Sequence, residues 1–110
     1  MTDKKIVLTT CGSAEEAQRI AHELVDRRLA ACVNIVPQIA SVYRWQGKVE
    51  TATEWLLVIK STAPAFESLR ETIQELHSYE LPECIAIPIE AGGSAYLDWI
   101  AASVLVRPEQ

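Results

Sequence analysis

Residues 31–46, ACVNIVPQIASVYRWQ, alternate in character. Val33, Ile35, Ile39, Tyr43 and Trp45 are apolar, and Asn34, Gln38 and Arg44 fall between them. A period of two marks a strand with one buried face. As one strand this run spans roughly 50 Å at about 3.3 Å per residue. A compact domain of 110 residues has a radius of gyration of only about 13 Å and a diameter near 35 Å. Even with a bend at Pro37, which cannot donate to a ladder and places the strand at an edge or a bulge, the strand overhangs. Gln46-Gly47-Lys48 turns the chain, and the returning strand ends in Trp55-Leu56-Leu57-Val58-Ile59, an apolar run suited to a central strand covered on both faces. The projecting tip carries Val42, Tyr43, Trp45 and Val49. Left bare, such a set invites association. The chain is expected to meet a partner surface, most simply another copy of itself.

The other elements follow from periodicity and punctuation. Lys5 to Thr10 reads as a short, mostly buried strand broken by Cys11-Gly12. Ser13 and Glu16 match a capping box, and Ala14, Ala17, Ile20, Ala21, Leu24 and Val25 form the apolar face of the helix that follows. His22 falls among Glu15, Glu23 and Asp26 and is expected at the surface. Pro64 suits the first turn of a second helix, with Phe66, Leu69, Ile73 and Leu76 as its stripe. Cys84 to Ile89 is a last strand, with Pro88 again suggesting an edge. Gly92-Gly93-Ser94 precedes a short helix carrying Leu97, Ile100, Ala101 and Val104. The order β-α-β-β-α-β plus a terminal helix makes an α+β, ferredoxin-like sandwich with an extended hairpin and a C-terminal helix. Repeats, linkers and low-complexity tracts are absent, so residues 1–110 read as one domain.

Composition narrows the partners. The formal net charge is −5, and both nucleic acid and anionic membranes need a positive surface. The RRM shares this topology, but its run of basic, glycine and aromatic residues is missing here. No apolar run approaches the roughly 20 residues that span a bilayer, and no leader-like segment follows Met1. The three cysteines, 11, 32 and 84, form no CxxC pair and make neither a disulfide scaffold nor a zinc site of ordinary spacing. A cytoplasmic protein is expected.

The segments LAACVNIVP (29–37), SVYRWQGK (41–48), Glu54, Lys60, HSYELPE (77–83) and YLDW (96–99) together resemble the CutA family of divalent-cation tolerance proteins, in order over residues 5 to 104. The resemblance implies a ferredoxin-like fold assembled as a tight homotrimer that exchanges long hairpins. It also implies a role in tolerance to divalent cations, chiefly copper. Family members that bind copper use a cysteine at the end of the first strand and a histidine pair at the end of the second helix. Those positions fall here on Thr9, with Cys11 two residues on, and on Leu76-His77. His77 and Cys11 are thus candidate metal ligands, in a weak copper or other divalent-cation site completed across subunits.

Other readings compete with that one. His77 in the last turn of a helix is also explained by the macrodipole, with Leu81-Pro82 forcing the exit, while Cys32 and Cys84 suit small buried hydrophobes. Tyr43, Trp45, Lys60, Tyr79 and Glu80 form a second candidate set. They converge either as a cleft for a small anion or metabolite or as interface anchors. Two functions follow: a non-catalytic trimer linked to metal-ion response, or an enzyme with Cys11 as nucleophile, its thiolate stabilised before a helix N-terminus.

Overall fold

The computed structural model describes residues 2–105. Its elements are β1 (Lys4–Cys11), α1 (Ala14–Asp26), β2 (Cys32–Trp45), β3 (Lys48–Thr62), α2 (Phe66–Leu76), β4 (Ile85–Pro88) and α3 (Ser94–Ser103). The strands form one antiparallel sheet in the order β2-β3-β1-β4. This is the ferredoxin-like arrangement, and both proline-bearing strands lie at its edges, where a missing N–H costs no ladder bond.

The core lies on the helix-bearing face. Val7 and Cys11 of β1 and Leu57 and Ile59 of β3 pack against Ala17, Ile20 and Leu24 of α1 and Leu69 and Ile73 of α2. A smaller cluster of Ala31, Ala65, Ile100 and Val104 anchors α3. Several local expectations need adjusting. Ser13 accepts the Glu16 amide, but the Glu16 carboxylate reaches Ser78 rather than closing the capping box. Pro64 precedes α2, which starts at Phe66 with Ala65 as its N-cap. Val25 is exposed; His22 is at the surface as expected.

The long hairpin does overhang. β1 pairs with β3 only from Trp55 to Thr62, so β3 residues 48–54 have β2 as their sole neighbour and form a two-stranded ribbon. The molecule measures 43 × 31 × 24 Å, with a radius of gyration of 14.5 Å. At the tip, Gln46 (φ 52°) and Gly47 (φ 82°) both take left-handed conformations, as a tight two-residue hairpin turn requires.

β2 does not keep one buried face, contrary to its sequence pattern. Val36 pairs with Leu56 and Ile39 with Glu54, so Pro37 and Gln38 together oppose Trp55 alone. The extra residue is a β-bulge, and Gln38 sits in it at φ 57°. Before the bulge Val33 and Ile35 pack on the core. After it Ile39, Tyr43 and Trp45 share the opposite face with Glu54 and Leu56. Nor is β3 covered by helices on both sides within the chain. The second face carries Ile6, Leu8, Leu56 and Val58, beside exposed Val36, Ile85 and Ile87.

Among the described residues two buried hydroxyls, those of Thr9 and Thr62, lack a polar partner. Thr9 is fully buried and its Oγ1 makes no hydrogen bond. An unsatisfied hydroxyl carries a desolvation cost that an apolar isostere avoids. Thr9→Val is expected to stabilise the fold by about 1 kcal/mol, read from the midpoint of urea unfolding with an unchanged slope.

Candidate functional site

α2 ends where His77 leaves helical geometry (φ −79°, ψ 143°), its own N–H still bonded to the Ile73 carbonyl at 2.9 Å. The imidazole itself is fully buried. Its Nε2–H donates to the Thr10 carbonyl at 2.6 Å, and its Nδ1 accepts the Tyr79 N–H at 3.0 Å. That pattern fixes one neutral tautomer. Beside it, the Ser78 N–H donates to Glu16 Oε2 at 2.7 Å. These bonds latch the loop after α2 to the turn between β1 and α1.

Charge follows the same contacts. Burial pushes the Glu16 carboxyl up, but hydrogen bonds from the Ser78 amide and hydroxyl, the neighbouring His77 and the Gly12 amide together outweigh it and hold the group below the ordinary carboxylate value. Burial, reinforced by Glu16, pushes the Cys11 thiol up to about 12. The Tyr79 ring passes over Gly12, where a Cβ would come within 3.0 Å of the phenol oxygen. Tyr79 then donates from its hydroxyl to Glu54 Oε2 at 2.7 Å. Burial and that carboxylate push the phenol's pKa up.

Between the overhanging ribbon and the 79–83 loop lies a cleft of about 630 Å³. Tyr43, Trp45, Tyr79 and Glu80, four of the five residues nominated for a cleft, line it. Lys60 does not. It pairs with Cys32 in the sheet and donates to Asn34 Oδ1, with Cys32 Sγ 4.0 Å away. Lys60 and Glu54 share a face six residues apart, about 20 Å along a strand. Glu54 and Glu83, which periodicity did not single out, also line it, as do Leu56 and Thr10. Burial and the nearby Glu54 push the Glu83 carboxyl up.

Cys11 and His77 do come together, with Glu16. One donor atom from each lies within 4.8 Å of the others, and all three residues are buried. A tetrahedral ion with bonds of about 2.0–2.3 Å draws its donors to within roughly 3.7 Å of one another. Every donor is also in use. The Cys11 sulfur keeps its proton, both His77 nitrogens are bonded, and Glu16 Oε2 holds Ser78. Thr9, where the family resemblance places a copper-binding cysteine, offers a hydroxyl inside the core. The residues do not fit a tightly held resident metal.

A family model of the CutA1 divalent ion tolerance protein matches residues 5–103. The divalent-cation tolerance protein CutA of Thermus thermophilus is 50% identical over 97 residues, covering 88% of this chain and 94% of that protein. The chloroplastic protein CutA of Arabidopsis thaliana is 44% identical over 98 residues; the match covers 89% of this chain but only 54% of that protein. Among solved structures, the periplasmic divalent cation tolerance protein CutA of Archaeoglobus fulgidus superposes with a TM-score of 0.90 at 43% identity, covering 93% of this chain and 99% of that one.

The latch has a pH signature. A carboxyl whose pKa is lowered in the folded state stabilises the fold fully above its unfolded value, near 4.5, and that stabilisation is lost as pH falls through the folded value. Glu16→Gln is expected to cost about 1–2 kcal/mol at neutral pH, since charge-assisted bonds are the stronger ones. The two proteins should converge as the pH falls below 4.5 and on through the lowered folded-state value, as followed by urea unfolding at each pH. A difference independent of pH would mean that the charge contributes nothing.

Proposed function

Because the chain belongs to the CutA1 family of divalent ion tolerance proteins, we propose that it is a non-catalytic, cytoplasmic homotrimer acting in the response to divalent cations such as copper. The trimer reading is carried by the ribbon, whose Val42 and Val49 are 69% and 66% exposed. The apolar second face of the sheet and two open edges supply a surface for such a ribbon. A projecting hairpin that lies on a different patch of its neighbour makes a head-to-tail contact, and such contacts close into rings. Three free cysteines, two of them with raised pKa values, suit a reducing compartment. The net charge of −5 gives nucleic acid or an anionic membrane no attraction, and among the described residues no helix is long and apolar enough to cross a membrane.

The non-catalytic reading rests on Cys11. A nucleophilic cysteine needs a thiolate and a free base. This thiol is buried with its pKa pushed up to about 12, and His77 spends both nitrogens on the backbone. The same facts make any copper at Cys11, Glu16 and His77 weakly held, because the ion must displace a proton and two hydrogen bonds.

Sedimentation equilibrium is expected to give three times the chain mass, and Val42→Asp with Val49→Asp should shift it toward monomer; a monomeric parent protein would end the trimer reading. Copper(II) titrated calorimetrically should bind the parent protein and His77→Ala with affinities within about tenfold of each other, whereas losing a true ligand costs more than the 10–100-fold typical of an outer-shell partner. In the native protein, Cys11 should resist a disulfide reagent at pH 8 until the chain is unfolded. Fast native labelling of Cys11 would restore the enzyme reading.

A further inference from the structure

The cleft beside the ribbon differs in sign from one that would receive an anion. Its charged groups are Glu54, Glu80 and Glu83, and no lysine, arginine or histidine is among the lining residues. The ribbon's two cations, Arg44 paired with Val49 and Lys48 paired with Trp45 at the hairpin end, are both outside the lining. The rings of Tyr43, Trp45 and Tyr79 supply the walls.

Glu54 is the group that asks for a ligand. It is only 8% exposed, and its one hydrogen bond is from Tyr79 to Oε2; among the described residues nothing donates to Oε1. Oε1 keeps some exposure, since it is not among the fully buried unpartnered atoms, but Glu54 lines the cleft with no cation beside it, and a carboxylate largely withdrawn from water without a cation is costly. Burial and Glu54 also act together to raise the Glu83 pKa, as expected of carboxylates that share a site without a counter-charge. Tryptophan and tyrosine faces attract ammonium groups through the ring quadrupole, and quaternary ammonium ions are recognised by such aromatic walls. A volume of about 630 Å³ falls within the usual range for small-molecule sites.

We propose that this cleft is a binding site for a small organic cation, an alkylated ammonium held between the Tyr43, Trp45 and Tyr79 rings with Glu54 as its counter-ion. Rings favour this class over a bare divalent ion, which takes oxygen ligands and retains water instead of stacking on indole. The rings and carboxylates come from one chain, and because Val42 of the ribbon also lines the cleft, the subunit contact proposed above borders the site.

Choline is a suitable probe, with 3,3-dimethylbutan-1-ol as its neutral carbon isostere. Calorimetry on the intact protein is expected to show saturable choline binding, with the isostere at least tenfold weaker. Glu54→Gln, which keeps the shape and an acceptor for Tyr79, should weaken choline at least tenfold while melting at the same or a higher temperature, since it removes a buried unpaired charge. Trp45→Leu, checked for unchanged sedimentation, should weaken it as well. Equal binding of choline and its isostere, or of parent and Glu54→Gln, would overturn the proposal in favour of an apolar groove. Absence of choline binding together with a lower melting temperature for Glu54→Gln would overturn it in favour of a partner subunit's basic side chain on Glu54. Calcium displacing choline from parent protein but not from Glu54→Gln, with Trp45→Leu binding choline normally, would make the site one for metal ions.

Discussion

Gln38, held at φ 57° behind a proline, decides which way half of the longest hairpin faces. Because Pro37 and Gln38 oppose a single residue of β3, every side chain from Ile39 to Trp45 lies on the face opposite to the one that uninterrupted alternation would give it. Without that residue Tyr43 and Trp45 would continue the helix-bearing face beyond the core. With it they stand over Glu54 and the loop after α2. The cleft, the acidic lining and the exposed ribbon all follow from one insertion in one edge strand, where a bulge disturbs only a single ladder.

The second constraint is the latch that brings the loop to the ribbon. His77 bridges the Thr10 carbonyl and the Tyr79 amide, and Glu16 holds Ser78. With the backbone of residues 77–79 fixed at several points, Tyr79 crosses over Gly12, where a larger residue would crowd its hydroxyl. A histidine, a carboxylate and a thiol in one buried place resemble a metal centre by inventory. By hydrogen bonding they are a splice between the two ends of the sandwich. Satisfied buried polar groups of this kind rigidify what they join.

Much of this was legible in the residues, and the illegible part has a common cause. Element order, the edge positions of Pro37 and Pro88, the Ser13 cap and the overhang came from local chemistry and chain length, which act over a few residues. The face of Tyr43 and Trp45 was not legible, because an added residue in a strand leaves the run of alternating letters intact while inverting its meaning. Lys60 was grouped with the aromatics for emerging near a strand end, but the register puts it at the opposite end of the face from them. The burial of His77 is not legible from its place in the last turn of a helix, because the groups it packs against, Thr10 and Glu16, are 67 and 61 positions away. Periodicity measures faces; it carries no information about distant partners.

The position of Glu54 is hard to account for by folding alone. It lies in a ribbon flanked by a single strand, in a residue class depleted from sheets, and it is nearly buried. Its contact with Tyr79 is one hydrogen bond, which a glutamine would accept equally well without the desolvation of a charge. Stability therefore gives no reason for a carboxylate there. A positive charge arriving from outside the chain would supply one, and the rings gathered around Glu54 by the bulge and the latch favour an organic cation.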